Sequence, residues 1–146
     1  MGERVTVKIT AIGEILVDMT QTHTDAAGVP HFAANPGGAP ANVAVAVSRL
    51  GSEAGFIGCV GDDLYGRLLR DTLVQNGVDT AGLQTTDRAN TTLAIVMVDE
   101  KGERSFSFYR KPGADTLMAS SPSRCGRGGR GACIRRRAAR PITAPR

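Results

Sequence analysis

The chain has 146 residues, of which 41% are hydrophobic, so it has room for one domain of ordinary size with a buried core. Its net charge of +4 is unevenly distributed: residues 1–118 hold 10 basic and 14 acidic residues, a balance of −4, while residues 119–146 hold eight arginines and no acid. No apolar run approaches the roughly 20 residues of a membrane-spanning helix, and "MGERVTVKIT" lacks the apolar core of a signal peptide. We therefore expect a cytoplasmic protein without a membrane partner.

The first predicted element is a strand. "VTVKITAIGEILVDM", Val5 to Met19, is rich in β-branched and apolar residues. This pattern predicts one strand, or a strand with a short break, that ends near Asp18. A polar stretch containing Gly28 and Pro30 follows it.

A helix and a buried strand come next. From Ala41 onward, apolar residues recur at the spacing of a mostly buried helix, and Gly51 is typical of the residue that follows a helix. "AGFIGCVG", Ala54 to Gly61, then predicts a short buried strand.

The second predicted helix is amphipathic. In "DDLYGRLLRDTLVQNGV" the apolar residues Leu64, Leu68 and Leu69 recur at helical spacing. The acidic pair Asp62 and Asp63 favours the N-terminal end, where carboxylates interact well with the helix dipole, and is interpreted as a helix start rather than as catalytic.

A hairpin completes the ordered part. "TTLAIVMVDEKGERSFSFYR" predicts two strands joined by a turn at residues 100–102, with Phe106 and Phe108 alternating in the second strand. Strands that alternate with helices predict an α/β fold with parallel strand pairing.

The three cysteines, Cys59, Cys125 and Cys133, are too few and too unevenly placed for a disulfide framework. Cys125 and Cys133 do not have the spacing of zinc ligands, so we predict no metal site. Cys59 lies in the buried strand and is interpreted as a small core residue.

The composition changes abruptly after Met118. Residues 119–146, "ASSPSRCGRGGRGACIRRRAARPITAPR", have almost no large apolar side chain and no periodicity, so they are predicted to be a disordered basic tail. The tail could be an arginine- and glycine-rich arm that binds phosphates of a nucleic acid. The alternative, which we favour, is a GC-rich coding sequence translated out of frame.

Two glycines stand at the start of the first helix, in "NPGGAPANVAVAVSRLG". Gly37 and Gly38 allow positive φ and a close approach of a ligand to the backbone, while Asn42 can donate and accept hydrogen bonds, as a hydroxyl-rich ligand requires. The alternative is a tight turn with Asn42 as a helix cap. A phosphate-binding P-loop is excluded because no Lys-Ser or Lys-Thr pair follows the glycines, and the spacing is not that of a dinucleotide fingerprint.

Four motifs follow one another in the order and spacing of a known family: "GEILVDM", "GGAPANVAVAVSRLG" with Gly61 beyond it, "VGDDLYG" and "FYRKPGADTLM". Together they resemble the ribokinase/PfkB family of carbohydrate kinases, and in particular its fructokinase branch. The resemblance covers nearly all of residues 5–118. It implies the N-terminal part of a ribokinase-like three-layer α/β fold with a small β lid, followed by the tail at 119–146.

The resemblance also assigns roles to residues. Asp18 matches the carboxylate that accepts hydrogen bonds from sugar hydroxyls, Gly37 and Gly38 match the glycines against which the sugar lies, and Asn42 matches an asparagine that binds it. Arg110 is a candidate contact to substrate oxygens, with an exposed strand arginine as the equal alternative. The polar stretch after Asp18 and the hairpin resemble the strands of the lid.

No catalytic residue is assigned, because the family's ATP-binding loops and catalytic aspartate lie in a C-terminal half that nothing after Met118 resembles. ATP and Mg²⁺ are the cofactors implied for the whole family, and neither is expected to bind this chain well. The resulting hypothesis is a fragment of a fructokinase-like enzyme, interrupted near Ala119 and inactive alone.

Fructose is the favoured ligand, 2-keto-3-deoxygluconate or another sugar acid is the alternative, and a homodimer through lid strands is left open. A sugar-binding module without enzymatic activity, or an arginine-rich module that binds nucleic acid, is the competing function. Nucleic acid is the less favoured partner.

Overall fold

The computed structural model describes residues 8–98, 103–118 and 132–135. The helices and strands, in chain order, are β1 (Lys8–Ile12), β2 (Leu16–Thr24), β3 (Pro30–Gly37), α1 (Ala39–Arg49), β4 (Glu53–Gly61), α2 (Leu64–Gln75), β5 (Val78–Thr86), β6 (Leu93–Val98), β7 (Arg104–Tyr109), a short 3-10 helix (Ala114–Leu117) and β8 (Ala132–Arg135). Neither α-helix in these ranges is long and apolar enough to cross a membrane.

The main sheet is parallel throughout, in the order β5-β4-β1-β8. Helix α1 packs against β1 and β4, and α2 packs against β4 and β5. One apolar cluster joins these elements, and among its largest members are Phe56 and Val60 from β4 and Leu69 and Leu73 from α2. The predicted parallel α/β arrangement is therefore confirmed.

The second sheet forms the lid, in the order β3-β2-β6-β7. Strands β2 and β3 are antiparallel, β2 and β6 parallel, and β6 and β7 antiparallel. The predicted hairpin is confirmed by the pairing of β6 with β7, whereas its turn at 99–102 lies outside the described residues. The expected small β lid beside the main α/β sheet is thus confirmed.

The predicted first strand is in fact two strands in different sheets. β1 ends at Ile12 and β2 begins at Leu16. Gly13 makes the break, with φ 148° and its N–H donating to the carbonyl of Ile57 at 3.0 Å. The chain therefore passes from the main sheet to the lid within a few residues, and β2 continues well beyond Asp18.

Two further details differ from the sequence prediction. Strand β5 was not predicted, because Asp79 and Gly82 are poor strand formers. In α2 the buried face is formed by Gly66, Leu69 and Leu73, whereas Leu64 and Leu68 are exposed. The face of α2 that meets the sheet therefore differs from the face that the leucine spacing alone indicates.

The tail contains a strand that the sequence did not predict. Ala132–Arg135 form β8, which pairs in parallel with β1. The disorder predicted for residues 119–146 therefore does not hold for these four residues. The rest of the tail, including Cys125, lies outside the described residues. The physical reason is that β1 would otherwise leave one edge of backbone groups unpaired, and a short segment without proline can pair there.

Cys59 is buried in β4, with 2% of its surface exposed, as predicted for a core residue. Burial, with a smaller contribution from the nearby Asp115 carboxylate, raises the pKa of its thiol. The residue is consequently a weak nucleophile rather than a reactive thiol.

Candidate functional site

Asp18 lies within β2, between β3 and β6. It is in register with Asn35 on β3 and with Ala94 on β6. Partial burial raises the pKa of its carboxyl group, and no described residue gives this carboxylate a hydrogen bond or an ion pair. A half-buried carboxylate with its acceptor positions unused is suited to hydroxyl groups of a ligand.

Arg110 lies on the same side of the lid as Asp18. Phe108 on β7 is in register with Ala94, so the side chains of Asp18, Ala94 and Phe108 lie in one row on one face. Arg110 follows Phe108 by two residues, and its guanidinium carbon lies 5.0 Å from the centre of the Phe108 ring. β2 and β7 are separated by one strand, about 10 Å in all, with the small Ala94 between them. We call the surface formed by Asp18, Asn35, Ala94, Phe108 and Arg110 the lid face.

Arg110 is held by a neighbouring carboxylate that the sequence did not single out. Its Nη1 donates to Oδ2 of Asp115 at 3.1 Å. Asp115 also accepts a short hydrogen bond from the hydroxyl of Thr92, which is fully buried at the start of β6. Arg110 is exposed, as in the alternative of an exposed strand arginine, but it directly follows β7 and is paired with Asp115. The signal was present in "FYRKPGAD", where an aspartate follows the arginine within one motif.

The two glycines serve different purposes. A Cβ on Gly37 would overlap the carboxylate of Asp18, so the absence of a side chain at Gly37 makes room for Asp18. Gly38 has φ 103°, and a Cβ there would lie 2.7 Å from the backbone oxygen of Glu14. Gly38 is therefore required by the packing of the chain itself, and contact of either glycine with a sugar stays a prediction.

Asn42 lies one turn into α1 and is exposed. Its backbone N–H donates to the carbonyl of Gly38 at 2.9 Å, and Gly38, which begins the helix, has no side-chain cap. Asn42 is therefore not the helix cap that the alternative proposed. It borders a cavity of about 260 Å³ between α1 and α2, together with Gly37 and Arg49, and that cavity is lined by neither Asp18 nor Arg110. The structure thus groups Asp18, Gly37 and Arg110 on the lid, with Asn42 to one side.

The acidic pair before α2 is structural, as predicted. Asp63 caps the helix by accepting from the N–H of Gly66 at 2.7 Å, and it also accepts from the N–H and the hydroxyl of Thr91. Burial would raise the pKa of Asp63, but these hydrogen bonds outweigh it and hold the pKa below its usual value. Asp62 is exposed and lies 4.0 Å from Arg67. Among residues 8–98, 103–118 and 132–135, no group of three or more ligating side chains could hold a metal ion.

Comparison with known families matches this architecture to carbohydrate kinases. The model of the pfkB family carbohydrate kinases matches residues 7–125. The chain therefore belongs to the pfkB family of carbohydrate kinases.

Several of the similar proteins of known sequence or structure are fructokinases. The chain is 48% identical to probable fructokinase-7 of Arabidopsis thaliana over 77% of its length, and 47% identical to fructokinase-1 of Zea mays over 77%. A crystal structure of fructokinase from Xylella fastidiosa superposes with a TM-score of 0.71 at 48% identity, over 75% of this chain and 34% of that one. Another structure of the Xylella enzyme contains bound ATP. The chain spans about a third of the length of these relatives.

Proposed function

We propose that this chain is the sugar-binding part of a fructokinase-like kinase, which transfers a phosphoryl group from ATP to a hydroxyl of a ketose. One observation supports the proposal above the others: Asp18 and Arg110 lie on one face of the lid, about two strand spacings apart. This separation suits a ligand of monosaccharide size. A carboxylate on one side and N–H donors on the other can hydrogen-bond the hydroxyl and ring oxygens of a sugar.

In the proposed reaction the lid face orients the sugar and excludes water from it. Asp18 would accept hydrogen bonds from two neighbouring hydroxyls, and Gly37 leaves the space in which its carboxylate lies. Phosphoryl transfer depends on positioning and on stabilisation of charge, which ATP-bound Mg²⁺ helps to supply. We assign no described residue to ATP, to Mg²⁺ or to the catalytic base.

The binding test uses the purified 146-residue chain and D-fructose, with affinity measured by calorimetry or ligand-observed NMR. Asp18→Asn is expected to weaken binding about tenfold or more, because hydrogen bonds to a charged group are worth about 1.5–3 kcal/mol. Asp62→Asn removes an equal charge from an exposed position and is the matched control. Equal affinity of Asp18→Asn and the unaltered chain would refute the assignment.

The catalytic part of the proposal has its own test. We expect the 146-residue chain alone to show no ATP-dependent phosphorylation of fructose in a coupled assay, since we assign no described carboxylate as the catalytic base. Robust turnover by this chain would contradict that expectation. The nucleotide sequence downstream of the codon for Met118, translated in all three frames, tests the proposal that the tail is an out-of-frame product.

We also propose that two copies associate through the second face of the lid, opposite the lid face. This second face carries Phe32, Ile95 and Met97 beyond the part that packs on the core, and Met97 is 47% exposed. Met97→Glu is expected to shift the mass measured by light scattering from dimer to monomer, because it places a charge in an apolar contact. Val29→Glu, in the turn between β2 and β3, is the control that should leave the mass unchanged. A monomeric unaltered chain would exclude this interface.

A further inference from the structure

The guanidinium of Arg110 has a carboxylate partner before any ligand arrives. Arg110 donates to Asp115 at 3.1 Å, and its guanidinium carbon lies 5.0 Å from the centre of the Phe108 ring, within the range of a cation–π contact. The side chain of Arg110 is 37% exposed, whereas that of Asp115 is only 4% exposed. Asp115 therefore contacts Arg110 from the protein side and leaves the solvent side of the guanidinium open.

Asp115 is fixed in this place by its own neighbours. It lies in the short 3-10 helix Ala114–Leu117, which is anchored by a hydrogen bond from the N–H of Ala114 to the carbonyl of Asn90 at 3.0 Å. The hydroxyl of the buried Thr92 donates to its second carboxylate oxygen. With both oxygens engaged and little solvent around it, the carboxylate cannot turn away to release Arg110.

The charges of these groups set what the lid face can accept. Asp18 and Asp115 each contribute one negative charge and Arg110 one positive charge, a sum of −1. We propose that Asp115, by pairing with Arg110, makes this site select uncharged sugars over sugar acids. This inference rests on the proposed sugar-binding function and adds a specificity-determining residue to it.

The physical reason is that a ligand carboxylate would gain one attraction and meet two repulsions. The attraction would come from Arg110, whose positive charge Asp115 already balances. The repulsions would come from the carboxylates of Asp115 and Asp18. A hydroxyl group needs only the free N–H donors of Arg110 and the acceptor oxygens of Asp18, so it escapes the penalty. At separations of about 5–7 Å in partly solvated surroundings, one such charge changes affinity about five- to tenfold.

The experiment compares D-fructose with D-gluconate on the full chain and on Asp115→Asn, which keeps the shape of the side chain and removes its charge. The unaltered chain should bind fructose more tightly than gluconate. In Asp115→Asn the ratio of gluconate to fructose affinity should rise about five- to tenfold. If Asp115 had only a structural role, Asp115→Asn would weaken the binding of fructose and of gluconate equally. An unchanged ratio of the two affinities therefore overturns the proposal.

Two controls locate the effect. Asp62→Asn removes the same charge from an exposed position and should leave the ratio unchanged; an equal shift there would refute a local effect of Asp115. The double variant Asp115→Asn with Arg110→Gln should lose the gain in gluconate binding, since the cation responsible is gone. Retention of the gain would also overturn the proposal.

A second measurement does not require any sugar to bind. Acetate is titrated onto the chain while the side-chain N–H signal of Arg110 is followed by NMR, with Arg110→Gln used to assign that signal. In the unaltered chain acetate should not shift the signal beyond the change seen for exposed arginines, whereas in folded Asp115→Asn it should. If fructose binds to no variant, the proposed function fails, and the acetate titration still decides the role of Asp115. A strong shift of the Arg110 signal by acetate in the unaltered chain contradicts the proposed role of Asp115.

Discussion

The two sheets of this molecule differ in how their polar groups are used. In the main sheet β4 is buried almost along its whole length, and at its end Asp63 has all its hydrogen bonds within the protein. In the lid, Asp18 has no protein partner among the described residues, and Phe106 and Phe108 are more than half exposed. Hydrogen bonding inside the protein thus stabilises the end of the main sheet, while the carboxylate of Asp18 in the lid is left without a described partner.

The largest expected loss of stability comes from a substitution at the junction between the two sheets. Gly38→Ala should lower the free energy of unfolding by about 2–4 kcal/mol, because it combines an unfavourable φ with a Cβ pressed against the backbone of Glu14. Gly51→Ala is the matched control: its φ is also positive, but nothing lies within 4 Å of its Cβ position. Its cost should be about 1–2 kcal/mol. Equal losses in urea unfolding would show that the contact with Glu14 is unimportant.

A smaller effect is expected within the main sheet. Asp63→Ala should cost about 1–3 kcal/mol at neutral pH, because it removes a helix cap and leaves the N–H of Thr91 unpaired. The folded pKa of Asp63 is depressed, so its stabilisation is present above the ordinary carboxyl pKa and is lost as pH falls through the folded value. The unfolding curves of the unaltered chain and of Asp63→Ala should therefore differ at neutral pH and converge at acidic pH. Asp62→Ala should change stability by no more than about 0.5 kcal/mol at either pH.

The smallest effect on stability, and one of opposite sign, is expected in the lid. Burial raises the folded pKa of Asp18, so ionisation costs stability as pH rises through that value. Asp18→Asn should therefore raise the melting temperature slightly at neutral pH, and the difference should vanish below the ordinary carboxyl pKa. Thermal unfolding across this pH range checks the sign. A clear loss of stability in Asp18→Asn would instead indicate that Asp18, like Asp63, has a structural role.

Sequence patterns predicted the parts whose behaviour depends on near neighbours in the chain. Local spacing and composition predict the helices, the buried strand at Ala54–Gly61, the hairpin of β6 and β7, and the position of Asp62 and Asp63 at the start of a helix. The motifs also indicated the pfkB family, which the comparison with known proteins confirms. Strand β5 and the exposure of Leu64 did not follow, because burial depends on which side of a helix or strand meets the sheet.

The candidate site was predicted only in part. Asp18, Gly37 and Arg110 were singled out, and the structure brings them to one side of the lid. Asp115 was missed as the partner of Arg110, as was Thr92 as the partner of Asp115. Thr92 is distant from Asp115 in the chain, and no periodicity records a contact of that kind.

Both helices, most of the strands and the family follow from the amino-acid sequence, and so do the polar groups of the candidate site. Only the tertiary structure decided that the first apolar run divides between two sheets, that Gly37 makes room for Asp18, and that Arg110 is already paired. The physical reason is that periodicity and motif spacing report short-range preferences, whereas the charge presented to a ligand depends on strand register. In this protein, register places Asp18 in one row with Phe108, and the guanidinium beside that ring is already paired with Asp115.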